Sequence, residues 1–442
     1  MNLEKMKQNK GRWLIGFSMP AIIAMLLSAA VTVTDGYFTG NYVGKDGLAA
    51  VNLGLPIVYL MLACGLMVGV GGSVIAGILH GDGQKEKSRQ VFNQTMASAL
   101  LLSAAMSLLM LVFFDSIQKF LGVDAALADF FGGYYRIMLF YYPVMVLNSV
   151  CSMFLRAEGR PGSGMAVTVA GVIFNVFFNA VFVHLGHGIR GIALASMVSG
   201  LLSLTLNLFI FIRSARIFRF ERFSFDGSVF RNTILNGSSE FVGEMASCIS
   251  MYCYNLVIMR LTGADGVSAF AIAGYTIFIF SMIVTGFGQG MCPLVSFACG
   301  AGEDTLAKDF RRLTCRIVFG TGVIFSVIML TGIRQYSSLF VSSESVQSLV
   351  REGVSFLSLS FPIMGFNIIV SMYLTACGRA LPSAIVSLAR GIVILLICIF
   401  TLPLLWGMKG VWLAAPLTEA LTCILSVLCL GSGISGPQIR QS

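Results

Sequence analysis

The chain has 442 residues, 57% of them hydrophobic and 11% charged, with a mean hydropathy of +0.87. A water-soluble domain carries about 25% charged residues, so this composition excludes one and describes a polytopic membrane protein. The formal net charge of +9 would point to nucleic acid in a soluble protein; here the basic residues gather in particular loops, where they report topology, and no nucleic-acid partner is expected.

The basic start, with Lys5, Lys7, Lys10 and Arg12, leads into an apolar run too long for a signal peptide and without a small-residue cleavage site. Apolar runs predict twelve spans, at 13–36, 48–79, 93–114, 131–155, 163–186, 190–212, 233–260, 267–298, 314–333, 352–376, 381–406 and 410–430. Span 1 contains Pro20, which lacks an N–H and should bend the helix, and ends on a single carboxylate, Asp35, in a context that is still apolar. An ionisable group inside a span costs about 2.5–3.5 kcal/mol on insertion scales, so by default it faces a bundle interior or wet cavity and marks an ion or substrate path. The plainer alternative is that Asp35 lies beyond the bilayer and ends the helix. At ~1.5 Å per residue it stands ~22 Å past the bend, in the outer half of the membrane.

Polar residues inside the other spans are few. Asn175 and Asn179 in span 5 are four apart and share a face, either to line a site or to bond neighbouring helices. In span 7, Glu240 lies near the cytoplasmic end, whereas Glu244 precedes a long uncharged run and is the better buried candidate. Asn148 and Asn367 each follow a span proline by five residues, a symmetry that favours a structural role. Arg390 and Glu419 have opposite charge and suit an intramembrane ion pair, weak evidence for a substrate site. His184 and His187 flank the outer end of span 5 and read as a solvated loop. The eleven cysteines fall mostly in spans, form no CxxC pair and read as small buried hydrophobes, so neither disulfides nor a metal centre nor a cofactor is expected. The 35 Phe and 23 Met suit a cavity that tolerates varied lipophilic ligands, although most of them must face lipid.

Most Lys and Arg residues, including Arg440 near the end, fall on the side of the N-terminus, which places both termini in the cytoplasm of a cell-membrane protein. An offset of 219 positions aligns the chain on itself without a gap, pairing Gly44/Gly263, Asp46/Asp265, Gly69/Gly288, Gly83/Gly302, Pro143/Pro362, Asn148/Asn367, Gly159/Gly378 and Gly188/Gly407. Each copy carries six spans, so the copies share one orientation about an axis along the membrane normal. The expected fold is therefore an all-α polytopic membrane protein of two six-helix lobes, 1–212 and 233–442, joined by a basic cytoplasmic linker, 213–232. That linker is read as amphipathic, its basic residues toward anionic headgroups, or else as a plain charged loop. The glycine-rich GLMVGVGG (65–72) and GFGQG (286–290) read as surfaces for close helix packing.

Taken together, the span-1 proline, VTDGYFTGNYVGKDGLAA, RAEGRPGSG, NVFFN, GIRGIALAS, GADGVSAFAI and ACGAG resemble the multidrug and toxic compound extrusion (MATE) transporters over nearly the whole chain. The resemblance implies an exporter of cationic, amphipathic compounds driven by inward H⁺ or Na⁺. It puts the span-1 aspartate on Asp35, the span-5 asparagine on Asn175 and the span-6 hydroxyl on Ser196, and Glu244 matches the span-7 acid of a multidrug subgroup. Where members often carry an aspartate four residues after the span-5 asparagine, this chain has Asn179.

The resulting expectation is an antiporter, H⁺ favoured over Na⁺, acting by alternating access. Asp35, Asn175, Asn179 and Ser196 serve ion coupling, Glu244 and Asp35 serve substrate binding, and the protein works as a monomer. A polyprenyl-linked glycan flippase would want a strongly cationic cavity, and intramembrane bases are few. A membrane-embedded enzyme would need convergent His or a motif such as HExxH, and neither is present; a receptor or channel would not require the repeat. No GxxxxGK[ST] phosphate loop offers direct use of ATP.

Overall fold

The computed structural model describes residues 2–431; Arg440 lies outside them. Among the described residues all regular structure is helical. Nine helices are long and apolar enough to cross a membrane, and the pair Glu344–Ser358 and Phe361–Ala376, bent by 51° just before Pro362, makes a tenth span. Two of the nine, Gly227–Gly300 and Ala380–Gly431, are of double length. Each is broken by a glycine in the left-handed region, Gly263 at φ 64° and Gly407 at φ 54°. Cutting there yields twelve spans: Lys10–Phe38, Leu55–Gly81, Lys85–Val112, Ala125–Ala157, Pro161–His184, Gly188–Ser214, 227–262, 264–300, Asp304–Thr331, the bent pair, 380–406 and 408–431.

The second span departs from its predicted limits, 48–79. A short helix, Lys45–Leu53, stops at Gly54 and a new one starts at Leu55. Tyr135 explains the break. Its hydroxyl donates to the carbonyl of Val51 at 2.6 Å, and its ring fills the place of a Cβ on Gly54, 2.0 Å from where one would stand.

The repeat is visible in the backbone itself. Positive φ recurs at the offset of 219 in Gly44 and Gly263 (96° and 64°), Gly83 and Gly302 (82° and 78°), Gly159 and Gly378 (88° and 71°) and Gly188 and Gly407 (53° and 54°). Hydrogen bonds keep the same register. Asn148 Nδ2 donates to Gly200 O and Asn367 Nδ2 to Glu419 O, both at 2.9 Å, and Gly200 and Glu419 are themselves repeat mates. Asn207 Nδ2 donates to Asn148 Oδ1 at 2.9 Å and its mate Ser426 Oγ to Asn367 Oδ1 at 3.0 Å. The paired asparagines thus tie span 4 to span 6 and span 10 to span 12.

By packing, the chain forms two compact units, Ile23–Gly237 and a second made of Leu3–Ile22 with the chain from Ser238 onward. In the first unit the start of span 7 lies against span 2: a Cβ on Gly71 would fall 2.0 Å from Thr233 O, and one on Gly237 1.8 Å from Met67 O. In the second unit the start of span 1 lies against span 8, where a Cβ on Gly290 would be 2.5 Å from Ser18 Cα and one on Gly286 2.6 Å from Ile22 Cα. Positions 71 and 290, like 18 and 237, are repeat mates. Within the glycine-rich runs Gly71, Gly286 and Gly290 therefore face neighbouring backbone, whereas Gly65, Gly69, Gly72 and Gly288 make room for the side chains of Val146, Met153, Thr95 and Met372.

Of the predicted linker 213–232, residues 213–214 end one helix and 227–232 begin the next, and the stretch 215–226 is neither a helix nor a free loop. Between Ser214 and Gly227 no helix forms. The Glu158 carboxylate, buried at the end of span 4, accepts the backbone N–H groups of Arg216, Ile217 and Phe218 at 2.7, 3.0 and 3.0 Å. Asn93 donates to Arg219 O and accepts from Glu221 N, and Gln94 does the same for the two backbone groups of Asp226. Phe218 is fully buried between Phe92 and Phe154. Asp226 then caps the next helix: hydrogen bonds from the Ser228 hydroxyl and from the N–H groups of Ser228 and Val229 hold its carboxyl below the usual range.

Candidate ion and substrate site

Span 1 carries its one carboxylate on its penultimate turn. Past Asp35 the helix widens into a π-turn, Thr39–Val43, with Thr39 Oγ1 donating back to Asp35 O at 2.6 Å, and the chain reverses at Gly44. Turns of this kind cluster at functional positions because they re-aim side chains without ending the helix. Asp35 itself is partly buried.

Spans 5 and 6 supply what surrounds it. Asn175 and Asn179 share a face because they are one helical turn apart, and the short turn between His184 and Gly188 folds span 6 back so that Ser196 meets them. Asn179 Nδ2 donates to Asp35 Oδ1 at 2.7 Å and to Asn175 Oδ1 at 3.1 Å. Ser196 Oγ donates to Asp35 Oδ2 at 3.2 Å and accepts from Asn175 Nδ2 at 3.3 Å. Asn175, Asn179 and Ser196 are 2%, 0% and 5% exposed, so none can turn to solvent instead. The four residues predicted for ion coupling thus form one closed network in the first unit. One acceptor in it, Asn179 Oδ1, is buried without a donor. An anionic oxygen pair, two amide oxygens and a hydroxyl are hard ligands for a proton or a small hard cation.

Among the described residues the second unit has no copy of this site. The mates of Asp35, Asn175, Asn179 and Ser196 are Tyr254, Ile394, Cys398 and Ala415. Tyr254 and Cys398 are packed with Ile258, Ile399, Leu402 and Val411 in an apolar cluster. The charges of that unit stand elsewhere. Arg390, inside a second π-turn, Ala389–Val393, donates through Nε to Glu419 Oε1 at 2.8 Å, and Asn367 Nδ2 donates to Glu419 Oε2 at 2.8 Å. The predicted ion pair forms, and with both carboxylate oxygens bonded it has the marks of a structural element. Glu244 takes no part in the Asp35 network. It belongs to the second unit, is partly buried, and like Glu240 makes no hydrogen bond or ion pair with any described residue. His184 is exposed and bonded to Ala180 O, and His187 is exposed, as a loop position requires. All eleven cysteines are free thiols. Glu158 was not singled out in the sequence; its signal is a lone acid between Arg156 and Arg160, in a turn where the surrounding charge is basic.

The MatE family model matches residues 20–181 and 242–400, one stretch in each repeat. The chain belongs to the MatE family. It is a membrane transporter, not an enzyme. It is 24% identical over 430 residues to an FAD transporter of Shewanella oneidensis, covering 93% of this chain and 92% of that one. It is 23% identical over 424 residues to the multidrug export protein MepA of Staphylococcus haemolyticus, covering 94% and 92%. Among solved structures, an outward-facing multidrug resistance MATE family transporter of the MOP superfamily superposes with a TM-score of 0.90 at 20% identity, covering 97% of this chain and 96% of that one. A MATE transporter in the straight conformation gives 0.90 at 21% identity, covering 98% and 97%. These likenesses confirm the twelve-span, two-lobe fold of the MatE chain.

Proposed function

We propose that this MatE transporter is a cation-coupled antiporter that exports cationic, amphipathic compounds across the cell membrane by alternating access, with H⁺ rather than Na⁺ as the coupling ion. The observation that carries this reading is the Asp35 network, one carboxylate held by an amide and a hydroxyl in a span and absent from the second unit. Ionised, Asp35 accepts hydrogen bonds from Asn179 and Ser196. Protonated, it becomes a donor, and the free acceptor Asn179 Oδ1 belongs to the same amide. An asparagine can serve both states by turning its amide, and Asn179 at a place where the family often has aspartate favours a single exchanged proton. Na⁺ would instead draw on the oxygens of Asp35, Asn175, Asn179 and Ser196, with one carboxylate alone to balance its charge.

Glu244 is the proposed contact for the positive charge of the substrate, being a partly buried acid of the second unit without a cation beside it. The relatives named multidrug export proteins support this substrate class. An anionic cargo, as the relative named an FAD transporter would carry, or a lipid pyrophosphate, would need free positive charge within the spans; the mid-span base Arg390 is neutralised by Glu419. A monomer with both termini and the linker in the cytoplasm completes the proposal. Purified protein in proteoliposomes should show substrate-induced H⁺ movement. Flux that follows Na⁺ at fixed pH would replace the proton by sodium.

A further inference from the structure

We propose that the extended strap 215–226, together with the helix end at Arg213, is a docking surface for anionic phospholipid headgroups at the membrane face where span 6 ends and span 7 begins. Its backbone is fixed from beneath. Three N–H groups are held by the Glu158 carboxylate, two backbone groups by Asn93 and two by Gln94, and Arg89 Nε donates to Ile217 O at 3.1 Å. A segment held in this way presents its remaining side chains from fixed backbone positions, so little backbone ordering entropy is lost when a ligand binds.

What it presents is basic and apolar together. Arg213, Arg216, Arg219 and Arg222 are all exposed and make no ion pair with any described residue. The acids nearby are engaged: Glu221 pairs with Arg89 at 3.0 Å, and Asp226 caps the next helix. Among the arginines stand Phe220 and Phe225, 41% and 63% exposed, continuing from Phe209 and Ile212 on the last turns of span 6, 57% and 77% exposed. Large apolar side chains so exposed on a strap otherwise tied down are out of place in water. They fit the headgroup boundary, where apolar bodies enter the acyl region and guanidinium groups meet phosphate bidentately. No other loop of the described chain combines this fixed backbone with such a row of unpaired arginines. The proposed orientation decides only which leaflet supplies the lipid; binding in detergent is independent of it and of transport.

The purified full-length protein is melted in detergent with added phosphatidylglycerol, phosphatidylcholine or inorganic phosphate, and the lipid retained after washing is counted by mass spectrometry. Phosphatidylglycerol should raise the wild-type melting temperature and remain bound, while phosphatidylcholine and free phosphate should do neither. Each arginine near an anionic surface contributes about five-fold to binding. Arg216→Gln/Arg219→Gln/Arg222→Gln should therefore need about 100-fold more phosphatidylglycerol at low salt, while melting close to wild type without lipid, since the three side chains are exposed and Arg219 alone is bonded, through Nε to Ala215 O at 3.2 Å, in a strap that Glu158, Asn93 and Gln94 still hold. Glu158→Gln, which keeps every arginine but weakens the pin, should retain less phosphatidylglycerol, and Asp35→Asn should retain as much as wild type. An undiminished response in the triple variant would overturn the proposal, as would inorganic phosphate acting as strongly as the lipid.

Discussion

The side-chain nitrogen of Asn179 stands 2.7 Å from Asp35 Oδ1, and the oxygen of the same amide is buried without a donor. The bond to a charged acceptor is worth about 1.5–3 kcal/mol, or roughly 10–100-fold on the balance between ionised and protonated carrier. Asn179→Ala should reduce coupled efflux by about ten-fold or more when matched amounts of folded protein are compared. Asn179→Asp places a second acid beside the first, and two carboxylates in one site share a proton, so the measured H⁺ per substrate should change. Unaltered efflux in Asn179→Ala would remove this residue from the coupling network.

Glu244 is predicted to act on substrate charge. Glu244→Gln keeps the shape and removes the charge, and should weaken export of cationic dyes several-fold while leaving a neutral dye of similar size unaffected. Equal loss for both, together with lower expression, would assign Glu244 to folding.

Two glycines test the close helix packing inside each unit. A Cβ on Gly71 would lie 2.0 Å from Thr233 O, and one on Gly290 2.5 Å from Ser18 Cα; in both places the obstacle is backbone and cannot rotate away. Gly71→Ala and Gly290→Ala should each cost about 1–3 kcal/mol, seen as a lower melting temperature in detergent. Gly16→Ala, whose Cβ meets nothing within 4 Å, serves as the control.

Span number, repeat and network were legible in the sequence for definite reasons. Hydropathy reports burial in lipid directly, and the 219-residue offset fell on glycines such as Gly44 and Gly263 because only glycine adopts the left-handed turn that each copy needs. Asn175 and Asn179 were readable as one face by helical spacing, whereas their meeting with Asp35 and Ser196 came from the family resemblance, since spacing within one helix says nothing of a neighbour. Illegible were the contacts made by backbone. The break at Gly54 depends on Tyr135, which lies far along the chain, and the linker's conformation depends on Glu158, Asn93 and Gln94, whose amide-like pairing with an extended strand has no periodicity to read. The packing of the start of span 7 on span 2 was equally hidden, because small residues permit close approach without naming the partner.

The orientation predicts a labelling pattern. Ser224 is exposed on the strap, so Ser224→Cys on a background lacking the eleven native cysteines should react with a membrane-impermeant thiol reagent only after the cells are opened. Strong labelling of intact cells would invert the topology.

Asp35 carries the central claim. Asp35→Asn has nearly the same shape, still accepts a hydrogen bond from Asn179 or Ser196, and cannot ionise. If one H⁺ exchanges for one monovalent drug cation, the cycle moves no net charge, and a potential worth about 2.3 kcal/mol per charge per 100 mV leaves its rate unchanged. The decisive measurement is substrate-induced H⁺ flux in proteoliposomes holding matched amounts of wild-type and Asp35→Asn protein, with and without an imposed potential. Flux in the wild type that is indifferent to potential and lost in a well-folded Asp35→Asn protein is the predicted result; wild-type flux in that variant would contradict the account and move coupling away from this carboxylate.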